Sequence, residues 1–436
     1  MSAVAAARPS APDPDPASAP IDDLTAFLVR LTGLLLRSSG EGAHLIGVAV
    51  TDSARGLGGD ASLLLVPEAA TLTVVAADGR TRTETVHGFP EVFRLDRAAA
   101  LKPLLADVRA GRADVAEAGR RLARIERAPA PYPWWLTFLG IVLFSLGFAP
   151  LMQPTWYEVG TTAALASIAA ALAVAADRVP RLARVLPLVV STTVSIVTLG
   201  FFAGDPAHGG PVLLMLPALF FFVPGDYLSA AAAELAAGLV TTGAIRLVYA
   251  VFLLVQLCVG VLLGVYVTGT STRALFDVAA ASDLPRWALF LAWTVFTAGT
   301  VLAFAVPLRF FWPVLLLVYV TVGVQSLATG LVGEVAGTFF AAVVLAAAAT
   351  VLSRGAGRPP RLILVLPGFF TLTVGSLGMR GLTTLAGGYV VEGFTDLLNM
   401  LVIVTAIAVG MVVGATLVPE SGPRRAAASP GTRSAA

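Results

Sequence analysis

The sequence predicts a polytopic α-helical membrane protein: ten transmembrane helices arranged as two inverted five-helix repeats, preceded by a small soluble α+β domain. Three observations carry this. Of 436 residues, 57% are apolar and only 13% charged, about half the roughly 25% charge of a soluble domain. From about residue 134 to 418, apolar runs of about 17 to 25 residues recur between short polar or Gly/Pro breaks, each long enough to cross about 30 Å of hydrocarbon as a helix. A transmembrane barrel would show alternating segments of about ten residues instead. Finally, one pattern occurs twice without a gap at an offset of 150 residues. Leu216-Pro217 recurs as Leu366-Pro367, Phe220 as Phe370, Gly225 as Gly375, Leu235-Ala236 as Leu385-Ala386, Gly238 as Gly388, Gly243 as Gly393, Gly260 as Gly410 and Gly264 as Gly414. Glycine and proline mark special backbone positions, so the two copies share chain geometry. Five spans between equivalent points would turn the copies opposite ways, as in secondary transporters.

In chain order, residues 1–20 form an Ala/Pro-rich tail with nothing to bury, and residues 419–436 resemble it. Residues 21–128 read as the soluble domain. Leu24, Phe27, Leu28, Leu31, Leu34 and Leu35 recur at helical spacing, and Ser38-Ser39-Gly40 stops that helix. A second short helix extends through about Ser53. Strands follow at Ala61–Val66, Leu72–Ala76 and Thr81–His87, the last two joined by the hairpin turn Ala77-Asp78-Gly79-Arg80. Arg97–Arg109 and Ala113–Arg127 read as charged surface helices.

Pro129-Ala130-Pro131-Tyr132-Pro133 is a stiff junction into the membrane. Repeat 1 spans residues 129–269, the linker 270–285 and repeat 2 residues 286–418. Spans are expected at about 134–151, 157–176, 185–203, 210–223, 246–268, 286–306, 311–328, 334–352, 361–377 and 397–418. With the soluble domain in the cytoplasm, inside loops carry Arg178, Arg181, Arg184, Arg309, Arg354, Arg358, Arg361, Arg424 and Arg425, whereas outside loops carry only Arg273, Arg286 and Arg380. This bias follows the positive-inside rule and puts both termini in the cytoplasm; the expected location is the inner (plasma) membrane.

Pro224-Gly225 breaks the fourth span, and Asp226 or Ser229 could cap the helix that follows, leaving a positive helix end that can hold a carboxylate. In the second copy Val374 replaces the proline, so that break rests on Gly375, followed by Ser376 and Arg380. The candidate substrate-binding residues are therefore Pro224, Gly225, Asp226, Ser229, Arg246, Gly375, Ser376 and Arg380. Arg246 and Asp396 occupy equivalent positions with opposite charge, as suits an asymmetric ligand. Ionisable groups at membrane depth are costly, so Glu234, Glu392 and Asp396 are the candidate proton carriers. Glu158 and Glu334 lie at span ends, where capping or headgroup water accounts for them; Ser191 to Ser195 read as helix packing and backbone satisfaction.

Nothing points to an enzyme, a cofactor or nucleic acid. His44, His87 and His208 are scattered, Cys258 is the single cysteine, and no cluster has metal-ligand spacing. Gly56-Leu57-Gly58-Gly59 lacks the lysine of a phosphate loop.

The chain from about Ile21 to Val418 resembles the threonine/serine exporter family. The resemblance rests on Leu36-Arg37-Ser38-Ser39-Gly40, Tyr132-Pro133-Trp134-Trp135, Val223-Pro224-Gly225 with Glu234-Leu235, Gly238, Gly243 and Arg246, and Gly333-Glu334-Val335, Ser353-Arg354 and Leu366-Pro367-Gly368. It departs at Val374-Gly375, where the family commonly has Pro-Gly, at Glu234, where it has aspartate, and at Gln153-Pro154, where a glycine pair is usual. The resemblance implies a ten-span membrane domain with a cytoplasmic N-terminal domain, exporting L-threonine and L-serine by proton antiport. Its partners would be these substrates, protons and the lipid bilayer, with a homo-oligomer left open. Export of a dicarboxylate such as succinate, through Arg246 and Arg380, is the alternative, followed by a membrane-anchored sensor or hydrolase.

Overall fold

The computed structural model describes residues 19–38, 42–88, 94–152, 155–202, 210–271, 284–372, 381, 384 and 389–418. The N-terminal part has a core of its own. In α1 (Ala19–Ser38) the expected stripe of Leu24, Phe27, Leu28, Leu31, Leu34 and Leu35 is buried. It joins Ile46 and Val50 of α2 (Ala43–Gly56) and one face of a three-stranded antiparallel sheet. The strands are β1 (Asp60–Val66), β2 (Ala69–Val75) and β3 (Thr81–His87). Alternation shows in β2, where Ala70, Leu72 and Val74 are buried. Asp78-Gly79 makes the β2–β3 turn, with Gly79 at φ +83°.

Helices α3 (Leu95–Arg109) and α4 (Val115–Arg127) differ from their expected role as a charged surface: Leu101, Leu104, Val108, Ala118 and Leu122 are buried in the same core. Their charges pair along the outside, Asp107 accepting from both Arg112 and Arg121, which conceals the apolar stripe in the composition.

The apolar part runs through α5 (Trp134–Met152), α6 (Trp156–Ala176), the short α7 (Pro180–Ala183), α8 (Leu186–Val197), α9 (Pro211–Leu219), α10 (Gly225–Ala236), α11 (Val240–Thr268), α12 (Arg286–Ala303), α13 (Phe311–Val332), α14 (Glu334–Leu352), α15 (Arg361–Thr371) and α16 (Val390–Thr416). Among the described residues, six helices are long and apolar enough to cross a membrane, seven if Pro211–Phe222 and Gly225–Leu235, bent by 69°, form one broken span. The other expected spans fall on shorter apolar helices at Leu186–Phe202, Trp287–Ala303 and Arg361–Thr371. Two boundaries move. α11 begins at Val240 rather than 246, and α16 at Val390 rather than 397, because the helix continues through the polar residues Arg246, Glu392 and Asp396.

Small residues set the helix spacing. A Cβ on Gly299 of α12 would lie 2.1 Å from the backbone nitrogen of Phe144 in α5, and one on Gly147 2.4 Å from the Cα of Phe296, so these two helices touch backbone to backbone. Gly260 and Gly264 of α11 press on Ser191 and Ser195 of α8; their counterparts Gly410 and Gly414 of α16 press on Phe339 and Val343 of α14. Glycines 150 residues apart thus make corresponding contacts. Between the two halves lies a buried cluster of rings: Phe144 and Phe148 of α5, Phe220 and Phe221 after α9, Phe296 and Phe304 near the end of α12, and Phe370 of α15. Phe220 and Phe370, equivalent positions of the repeat, have ring centroids 6.0 Å apart.

Candidate functional site

The break after α9 is built from backbone. Phe220–Phe222 tighten into a 3₁₀ turn, Val223 is extended, and Pro224 (φ −75°, ψ 57°) is the residue before α10. Proline has no N–H to lose there. Pro224 occupies the cap position without a side-chain hydrogen bond of its own, and Asp226 sits half-buried in the first turn, where the helix dipole favours a carboxylate. Ser229 lies one turn further along α10. Gly225 is buried, and a Cβ there would meet the Phe370 ring at 2.8 Å. That close approach explains the glycine and places a ring of the second half against the start of α10.

Ten residues after the break's proline, Glu234 is 2% exposed. Gly238, at φ +80°, turns the chain so that α11 packs back on α10, and Gly243 leaves room for Leu235. The second turn of α11 then delivers Arg246, 7% exposed, with its Nε 3.3 Å from Oε1 of Glu234. The same Oε1 accepts the backbone N–H of Ala43, the first residue of α2, at 2.8 Å. Glu234 Oε2 and Arg246 Nε, both buried, have no hydrogen-bond partner among the described residues. Desolvating two charges is expensive unless they stay together, so this pair is a costly feature of the apolar part.

The second half contributes less that can be placed. Gly375, Ser376 and Arg380 lie outside the described residues. Glu392 is exposed in the first turn of α16 and Asp396, one turn on, is half-buried. Glu158 is a cap: its Oε2 accepts the N–H of Thr155 at 2.7 Å, opening α6. Glu334 is exposed at the start of α14. Ser191, Thr192 and Thr193 bond back to carbonyls of their own helix, and Ser195 donates to Val261 O of α11 at 2.9 Å.

Three further contacts join the N-terminal part to the helix ends. Leu95 N–H donates to Phe304 O at 3.2 Å and Tyr132 O–H to Val306 O at 2.6 Å. Between those carbonyls Ala305 adopts φ 55°, a left-handed conformation uncommon outside glycine. Burial pushes the Tyr132 hydroxyl above the ordinary phenol value, so it keeps the proton it donates. Lys102, the single lysine, donates to Ser353 O, and to Arg358 O and Pro359 O at 3.1 Å each. Sequence reasoning missed Ala43, Leu95 and Lys102, because a backbone donor and a lone surface lysine leave no motif.

Neither the curated proteins nor the solved structures contain a match to the chain. Residues 27–268 match the family model ThrE, "Putative threonine/serine exporter". That segment is more than half of the chain and runs from α1 to the end of α11, taking in Ala43, the Pro224-Gly225 break, Glu234 and Arg246. The chain belongs to the threonine/serine exporter family.

Proposed function

We propose that this membrane protein is a secondary transporter that exports L-threonine and L-serine from the cytoplasm in exchange for protons. The observation that carries the proposal is the buried Glu234–Arg246 pair, its carboxylate ten residues past the proline at the break between Pro211–Phe222 and Gly225–Leu235. A buried ionisable pair among the helices of a membrane protein is costly and defaults to a working role. Protonating Glu234 would leave Arg246 as an uncompensated buried charge, so proton entry and opening of the pair are linked. The positive end of α10 would take the substrate carboxylate, which requires Phe370 to swing off Gly225 and the Gly225 N–H to leave Val223 O, its acceptor at 2.7 Å. Asp226 and Ser229 lie along the same helix, and Ser376 and Arg380 would complete the site from the second half, with Glu392 and Asp396 as the next carboxylates to consider. The dicarboxylate alternative is less favoured, because Arg246 already faces Glu234.

In the proposed topology ten spans form two inverted repeats, which the matched glycine contacts support, with both termini in the cytoplasm. Support for the orientation is that the loops at 304–306 and 353–359, against which the N-terminal part rests, adjoin Arg309, Arg354, Arg358 and Arg361. Cysteine introduced at Ser282 should react with an impermeant thiol reagent added outside, and one at Ser353 should not; the opposite pattern removes the topology. For transport, cells preloaded with labelled threonine, serine or succinate should export the first two, and an uncoupler should slow that export. Succinate leaving in their place would replace the substrate assignment.

A further inference from the structure

We propose that the N-terminal part supplies a working piece of the transport site itself, the backbone N–H of Ala43 acting as the positioning group for Glu234. The inference rests on the transport reading above. It follows from what surrounds the carboxylate. Oε2 is buried without a hydrogen-bond partner, and Arg246 Nε, though 3.3 Å from Oε1, forms no hydrogen bond. Among the described residues, the hydrogen bond that Glu234 receives on its carboxylate therefore comes from Ala43, 191 positions earlier in the chain.

The donor is suited to that task. Ala43 opens α2, and the first N–H groups of a helix have no partner within it; the helix end is also favourable to an anion. Gly42 provides the clearance. Its backbone, at φ −58° and ψ 158°, would suit most residues, but a Cβ would lie 3.3 Å from Oε1 and 3.4 Å from Cγ of Glu234. Space rather than conformation calls for glycine. The seating does not depend on this bond alone, since Leu95, Lys102 and Tyr132 fix the same part of the chain to loops 304–306 and 353–359. The membrane helices alone thus do not set where the carboxylate sits.

Ala43→Pro tests this with little harm to α2. Proline is favoured at the first position of a helix, where its missing N–H has no intrahelical partner, and Gly42 already has the extended backbone preferred before proline. The full chain, reconstituted in vesicles, is assayed for serine transport driven uphill by an imposed pH gradient and for serine exchange without one. Ala43→Pro should lower the uphill rate at least about tenfold, as expected for losing one hydrogen bond to a charged group, while the KM for exchange changes less than about twofold. Gly42→Leu, which drives a side chain onto Glu234, should give the same split, and Val48→Ser on the exposed side of α2 should give neither effect. If Glu234→Gln abolishes uphill transport and Ala43→Pro leaves it intact, the inference is overturned and the transport reading stands. If Glu234→Gln has no effect, both fall. Should Ala43→Pro fail to fold, Lys102→Ala loosens the seating without touching α2; the same split in milder form upholds the inference, and unchanged uphill transport overturns it.

Discussion

Glu234→Gln is expected to abolish export against a gradient while substrate exchange continues. Glutamine keeps the shape of the side chain and can still accept the Ala43 N–H, but it cannot gain and lose a proton. It also leaves Arg246 buried without its counter-charge, and breaking a buried pair costs about 3–5 kcal/mol. The single variant must therefore be compared with Glu234→Gln/Arg246→Gln, in which both charges are gone. The double variant should regain most of the lost stability and none of the coupling, a result that separates folding from function. Glu158→Gln, which alters a helix cap, should cost about 1 kcal/mol of stability at most and leave coupling intact. Vesicles with an imposed pH gradient give the readout. Undiminished uphill transport by Glu234→Gln would take this residue out of the mechanism and turn attention to Glu392 and Asp396.

Gly299→Ala should be among the most damaging single-methyl changes in the protein. The added Cβ would lie 2.1 Å from the Phe144 nitrogen and 2.6 Å from the carbonyl carbon of Leu143, against the roughly 3.5–4.0 Å of a comfortable contact. Backbone atoms cannot rotate away as a side-chain tip can, so α5 and α12 must separate along their crossing. Overpacking of this kind costs about 1–3 kcal/mol and occasionally more. Gly160→Ala in α6 is the matched control, since a Cβ there meets nothing within 4 Å; the gain in helix propensity should make it neutral or stabilising by up to about 1 kcal/mol. Melting of the detergent-solubilised proteins decides the matter: a Gly299→Ala protein as stable as Gly160→Ala would mean that the two helices are not in backbone contact.

What could be read from the sequence follows the physics of each feature. Uninterrupted apolar runs announced the membrane helices, because hydrocarbon admits little else. The Pro224-Gly225 pair announced a break, because proline and glycine act on the backbone directly. α11 and α16 start six and seven residues before the expected spans, because a helix need not end where its side chains turn polar: Arg246 is accommodated inside its helix by a carboxylate from the preceding one. Glu158 and Glu334 fell where expected, at helix starts. What sequence could not supply was the third participant at Glu234: a main-chain N–H carries no side-chain signature, and only the fold brings position 43 to position 234.

The phenylalanine cluster has a consequence for how the protein moves. Rings drawn from both halves interlock at centroid separations from 3.9 to 6.1 Å, in an interior packed as densely as an organic crystal. Such an assembly does not yield by degrees: a ring shifted by part of its width collides with its neighbour before it reaches the next resting place. If the proposed transport displaces one half against the other, that displacement is stepwise, a few long-lived packings joined by brief rearrangements, and cycling should slow steeply on cooling as those rearrangements become rare.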